Sequence, residues 1–190
     1  MSSCGSGEEQ GDISAFRRPP IITAPSSPSV ALPFSSTFTD RWNEANNGSQ
    51  YEPCTALVPS ELGSVGVDSG SVRDAAGTNG QTLRGCTWDY RATADGQRWA
   101  VSQTVANSSG LAAYKEKYSM DHWMEDLTVY GRVVGVTDSP DLGECMTYVQ
   151  SGQAGITTLV IHHRPPHPPV SEVCDRAIAF TKATIDKMPP

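Results

Sequence analysis

Apolar and polar residues alternate strictly along Cys86-Thr87-Trp88-Asp89-Tyr90-Arg91, so that Cys86, Trp88 and Tyr90 face one way and Thr87, Asp89 and Arg91 the other. A period of two is that of a strand with one buried face. Ala94-Asp95-Gly96 supplies turn residues that tolerate positive φ, and Trp99, Val101 and Val105 resume the alternation, which predicts a hairpin. Ser108 or Ser109 then caps a helix carrying Leu111, Tyr114 and Tyr118 at spacings of three and four. Three further strands, 127–136, 144–149 and 156–163, follow as an antiparallel meander, separated by Asp138-Ser139-Pro140-Asp141 and Ser151-Gly152-Gln153. Past the breaker Arg164-Pro165-Pro166-His167-Pro168-Pro169, Ser171 caps a last helix in which Cys174, Ile178, Thr181, Ile185 and Met188 recur on one stripe.

Upstream, Thr39-Asp40-Arg41-Trp42-Asn43-Glu44-Ala45 predicts a short first helix, and Ser60-Glu61-Leu62 a second that ends at Gly63 or Gly66. Residues 68–81 are rich in Gly, Ser, Asp and Asn and read as a long surface loop. The expected architecture is α+β: an antiparallel sheet of about five strands, one face packed by the C-terminal helix and the shorter helices.

Residues 5–36 are Gly, Ser, Glu, Pro and Thr with scattered apolars, a composition that buries too little to order itself. The chain therefore divides into a leader and Pro/Ser-rich tether over 1–36 and a single domain over 37–190. A tether of this kind spans on the order of 30 Å. The other reading has Ile21, Ile22 and Leu32 packed back on the domain as an extended strap. With 14 Lys and Arg against 21 Asp and Glu, the net charge of −7 repels a phosphate backbone, which excludes nucleic acid as a partner. No apolar run approaches the roughly 20 residues of a membrane-spanning helix.

Cysteine placement changes this picture most. Cys4 stands alone among small residues, whereas Cys54, Cys86, Cys145 and Cys174 fall within the domain. Neither C-x-x-C nor a Cys/His cluster at zinc spacing occurs, so the four internal thiols point to two disulfides and an oxidising compartment. Four cysteines permit three pairings. Cys54 with Cys86 and Cys145 with Cys174 are favoured, since each closes a moderate loop and staples a helix or its entry to a strand. Cys4 reads as a lipid-anchor residue: Ser2 and Ser3 are the small residues a lipoprotein signal peptidase takes before its cysteine. Only three residues precede it, without room for an apolar export segment, so a shortened start is expected. The other reading is a cytosolic protein with an ordinary free thiol at Cys4.

The order Trp42, Pro53-Cys54-x-x-Leu57, Gly85-Cys86-x-Trp88, Gly143-x-Cys145, Cys174-x-x-Ala177 and terminal Met188-Pro189 resembles the actinobacterial lipoprotein family known as domain of unknown function 3558. The resemblance covers about residues 36–190. It implies acylation of Cys4, a tether, and anchoring to the outer face of the cell membrane; it implies no activity.

Among candidate sites, His162, His163 and His167 form the tightest imidazole cluster, but neighbours on a strand point to opposite faces, and solvation at a strand end is the expectation. Asp138, Asp141 and Glu144 read as a solvated acidic turn, and Glu125 with Asp126 as a surface charge pair. No Gly-x-Ser-x-Gly elbow or Gly-rich phosphate loop occurs. Trp88 and Trp99 read as core, Trp123 as a surface contact. The function expected is that of a non-enzymatic, extracytoplasmic lipoprotein, free of cofactor and metal. Its partners are the membrane, through the acyl group, and a small ligand or envelope protein, with Trp123, His162 and His163 as possible contacts. The alternatives are a secreted hydrolase using His162 or His163 as base, and a sensor-type module with an apolar cleft between sheet and helix.

Overall fold

The computed structural model describes residues 32–77, 81–92, 96 and 98–190. Cys4, Ile21, Ile22, the tether up to residue 31, and Ala94 and Asp95 of the expected hairpin turn lie outside the described residues. In chain order come α1 (Pro53–Ala56), α2 (Pro59–Ser64), β1 (Arg73–Asp74), β2 (Arg84–Asp89), β3 (Trp99–Asn107), α3 (Leu111–Lys117), β4 (His122–Trp123), β5 (Leu127–Val129), β6 (Arg132–Ser139), β7 (Glu144–Ser151), β8 (Ala154–His162) and α4 (Val170–Thr184). The class is α+β with an antiparallel sheet and a C-terminal helix, but the strands number eight rather than five. Their order is β1-β2-β3-β8-β7-β6-β4, with β5 pairing β6. Two antiparallel runs, β1 to β3 and β6 to β8, meet where β3 pairs β8 over their whole length.

The extra strands have local causes. The apolar run 127–136 breaks at Tyr130 and Gly131, both at positive φ (48° and 79°), a two-residue reversal of the kind that fits the twist of a hairpin. β1 lies in the expected surface loop and borrows the edge of β2, and β4 borrows the edge of β6. The helix expected over 39–45 does not form. There Asn43 and Asn46 side chains take over backbone partners: Asn46 Oδ1 accepts from Asn43 N at 3.1 Å, Asn43 Oδ1 accepts from Ala45 N at 2.9 Å, and Asn46 Nδ2 donates to Arg41 O at 2.7 Å. Such local bonds compete with the helical ladder and hold a turn instead.

One face of the sheet is sealed. Cross-strand partners Trp88, Val101, Val160 and Cys145 point the same way, toward α4, which lays Val173, Ala177 and Phe180 over β7 and β8. The expected stripe is largely buried, Cys174, Thr181, Ile185 and Met188 fully and Ile178 only partly, and Val173, Ala177, Phe180 and Thr184 widen it. Two disulfides staple this inner layer, Cys54–Cys86 joining α1 to β2 and Cys145–Cys174 joining β7 to α4, with Cα separations of 5.2 and 5.0 Å. Closing loops of 32 and 29 positions constrains the unfolded chain by about 3 to 4 kcal/mol each in the entropy model. Gly85, beside Cys86, has φ 151°, and a Cβ there would stand 2.0 Å from Gln103 O, so the close approach of β2 to β3 requires glycine. At the other end, Arg132 donates to the carbonyls of Ile185, Met188, Pro189 and Gln150, tying the chain end to β6 and β7.

Several polar groups inside this layer are paired, although the buried Tyr90 hydroxyl, Trp99 indole N–H and Arg84 Nε make no hydrogen bond among the described residues. Tyr51 donates to Gln103 Oε1, and Gln103 Nε2 reaches Thr158 (2.9 Å) and Thr184 (3.0 Å). Arg84 and Glu52, 1% and 5% exposed, pair at 2.8 Å, while the guanidinium also donates to Ser49 O and lies 4.6 Å from the Phe34 ring and 5.1 Å from that of Trp42. Burial pushes the Glu52 carboxyl up and the Arg84 guanidinium down, against their mutual attraction. Phe34 thus holds the start of the described chain on the domain, whereas Leu32 stays exposed. A buried pair broken from one side leaves an uncompensated charge. Glu52→Gln should lower unfolding free energy by about 3 to 5 kcal/mol in urea titration, and the double variant Glu52→Leu, Arg84→Met should recover most of that loss.

Candidate functional site

The opposite face of the sheet carries a different set of side chains, because every second residue points there. Thr87, Ser102, Thr104 and Thr157 form hydroxyl pairs across the strands, Thr87 with Ser102 and Thr104 with Thr157, each at 2.7 Å. Glycines occupy two more outward positions, Gly135 on β6 and Gly155 on β8. A Cβ on Gly155 would stand 2.4 Å from the Tyr148 ring, and one on Gly135 would stand 2.5 Å from Leu111 Cδ1 and 3.2 Å from the Trp123 indole. These two gaps seat an aromatic cluster over the sheet: Tyr114 of α3 lies 4.5 Å from Tyr148, 4.6 Å from Tyr118 and 6.1 Å from Trp123, centroid to centroid.

α3 spans this face while burying none of its residues. It starts at Gly110 (φ 111°) rather than at either serine, because the Ser108 hydroxyl already meets the Tyr148 hydroxyl at 2.7 Å. Gln150 adds to this anchor, its Oε1 next to the Tyr148 hydroxyl and its Nε2 donating to Gly152 O. Burial pushes the Tyr114 and Tyr148 phenols up, so both remain protonated hydrogen-bond donors.

Between α3 and the β3/β8 region runs a groove of about 450 Å³. Its floor is the Thr104–Thr157 pair with Ala106 and Gly155; its helix wall is Ala113, Tyr114, Lys117 and Tyr118; Thr82, Ser108 and Ser109 close the rim. That volume lies within the roughly 300 to 1,000 Å³ of small-molecule sites. Lys117 Nζ stands 5.2 Å from the Tyr118 ring and pairs with no carboxylate among the described residues. A second concavity of about 610 Å³ lies on the other flank of α3, lined by Leu111, Ala112, Val133 and Pro190, with Lys115 and Asp126 joined at 2.6 Å beside it.

Trp123, His162 and His163 are not brought together. Trp123 is half-buried in the aromatic cluster, its indole N–H donating to Tyr118 O at 2.9 Å, with Lys115 over its ring, and it supports α3 without lining the groove. His162 departs from the solvated strand end expected of it: its register partner is Trp99, it points to the inner face, it is only 2% exposed, and its ring sits 4.7 Å from the Trp99 ring, with the nearest His167 nitrogen at 3.3 Å. His163 is exposed. Trp88 and Trp99 are core residues, as their alternation indicates. Asp138 also departs from the expected solvated turn: its side chain is 4% exposed and its Oδ1 lies 2.6 Å from Nδ1 of His122, whose ring is 73% exposed. Sequence reasoning missed this pair because β4, which sets His122 opposite Asp138, has only two residues. Among the described residues no group of three metal-ligating side chains converges.

The seating of Tyr148 gives a direct test of the groove's construction. Gly155→Ala should displace the Tyr148 ring, loosen α3 and lower stability by about 1 to 3 kcal/mol, read by urea unfolding, with the Tyr114 and Trp123 resonances shifted while those of the inner core stay in place.

The family model described as "Protein of unknown function (DUF3558)" matches residues 1–187. No curated protein and no solved structure matches the chain.

Proposed function

We propose, for a chain that belongs to the DUF3558 family, that it acts as a non-enzymatic binding module of the cell envelope: acylated on Cys4, held at the outer face of the membrane by a tether that ends where Phe34 packs on the domain, and taking a small ligand in the groove beneath α3. The observation that carries this reading is the groove itself. It combines a hydroxyl floor and an aromatic wall with a cation that has no carboxylate partner among the described residues, along a seven-residue helix that buries none of its residues. Such a helix is well suited to yield and close again over a ligand. Two disulfides in the domain support an oxidising compartment, where such bridges persist. The space between α4 and the sheet is filled by Trp88, Phe180 and Ala177, which weighs against a sensor cleft there.

Two measurements test the two halves. Intact mass of protein from the native host should carry a diacyl or triacyl adduct on Cys4 and gain four hydrogens on reduction; an unmodified Cys4 contradicts the anchor. Titration of the ¹⁵N-labelled domain with a panel of small sugars, amino acids and short-chain acids should shift the amides of Tyr114, Lys117, Tyr118 and Thr157. Shifts confined to the exposed Tyr130 and Val133 region, seen instead with an envelope-protein fraction, favour a protein partner.

A second reading, a hydrolase with a site assembled from dispersed residues, is supported by His122 and Asp138 rather than by the two strand-end histidines. A buried carboxylate on Nδ1 leaves Nε2 of an exposed imidazole directed outward, as a general base requires. Among the described residues no serine hydroxyl hydrogen-bonds to that ring. Hydrolysis of p-nitrophenyl esters lost in His122→Ala but kept in His163→Ala would favour it; equal background rates in all three proteins count against it.

A further inference from the structure

We infer that the ligand of the α3 groove is a sugar acid, a polyhydroxylated ring bearing one carboxylate; this rests on the reading of that groove as a ligand site. The floor specifies a polyol. Thr104 Oγ1 and Thr157 Oγ1 stand 2.7 Å apart, so one hydrogen lies between them. Each hydroxyl has one hydrogen and two lone pairs. The pair therefore retains one hydrogen to donate and lone pairs to accept, side by side, which matches neighbouring hydroxyls on a ring. An acyl chain laid on this floor would strand those groups without partners, at about 1 to 3 kcal/mol for each one buried.

The wall specifies a ring with an apolar face. Tyr114 and Tyr118 line one side with aromatic surface, while Ala106, Ala113 and Gly155 keep the space between wall and floor open. A pyranose presents C–H groups on its faces and hydroxyls on its rim, so it can meet an aromatic side and a hydroxyl floor at once. The cation sets the charge. Among the described residues Lys117 is the one charged side chain that lines the groove, in a chain of net charge −7, and there its ammonium has no carboxylate partner. A single ammonium suits one carboxylate. A phosphate is better met by a guanidinium fork, and no arginine is among the described lining residues. The negative charge of the whole chain disfavours polyanions further.

The test is titration of the full domain with D-glucuronate, D-glucose, acetate, cyclohexanol and inorganic phosphate, followed by calorimetry and by ¹⁵N shifts of Tyr114, Lys117, Tyr118 and Thr157. The expected order is glucuronate tightest, then glucose. Lys117→Gln should weaken glucuronate about tenfold, the size of one charge-assisted hydrogen bond, and leave glucose unchanged, whereas Thr157→Val should weaken both. Glucose binding as well as glucuronate, or Lys117→Gln without effect, overturns the acid. Cyclohexanol or phosphate bound at these residues in preference to either sugar overturns the sugar acid while leaving the groove a ligand site. No shift at these residues with any of the five probes overturns both.

Discussion

Two covalent cross-links on one face of the sheet govern how the rest of the molecule is arranged. Cys86 and Cys145 project from β2 and β7 toward the same side, and their partners Cys54 and Cys174 fix α1 and α4 there. The large side chains of that face gather around them: Trp88 lies 5.6 Å from Phe180, and Trp99 sits under the Arg176 guanidinium at 4.2 Å. A sheet has only two faces. With one committed to this core, the other is left with short polar side chains, glycines and a seven-residue helix held by an aromatic cluster rather than by burial. Division of labour between the faces is therefore a consequence of where the cysteines stand along the strands, each on the inward phase of a period of two.

The same asymmetry accounts for the family-like residues surrounding the cysteines. Gly85 is forced by contact between β2 and the Gln103 carbonyl, next to the bridge at Cys86. Gly143, before Cys145, has φ 65° and leaves room for the His167 ring, which a Cβ would meet at 2.3 Å. Met188 is buried, and Arg132 gathers the carbonyls around it. Of these positions Gly85 alone adjoins the groove, through its register partner Thr104 on β3. The residues that carry the resemblance thus mainly build the scaffold, while the α3 region supplies the tyrosines and Lys117 that line the groove.

Much of the inner face was legible in the sequence, for a physical reason: Cys86, Trp88, Val101 and Val105 are buried on one phase and polar on the other, and α4 repeats at helical spacing. Legibility failed where a short element depends on a neighbour's edge, as β1 and β4 do, or where side chains outcompete the backbone, as Asn43 and Asn46 do. The apolar run 127–136 concealed a reversal because Val129 and Val134, on either side of it, are both buried; only Gly131 marked it. Of the groove, the tyrosine spacing along α3 was readable. The floor was not, since Thr104 and Thr157 are 53 positions apart and meet only through the pairing of β3 with β8. The Arg84–Glu52 pair was likewise hidden, its partners being 32 positions apart.

Native-state hydrogen exchange of the oxidised, ligand-free domain tests this division most directly. The amides of Tyr114 and Tyr118, which donate within α3 to Gly110 O and Tyr114 O, should exchange by local opening far more readily than those of β3, β7 and β8, which should open only with global unfolding. Protection of α3 equal to that of β8 would mean that the helix is as firmly held as the core, and the account of a sealed face opposed to a yielding one would be contradicted.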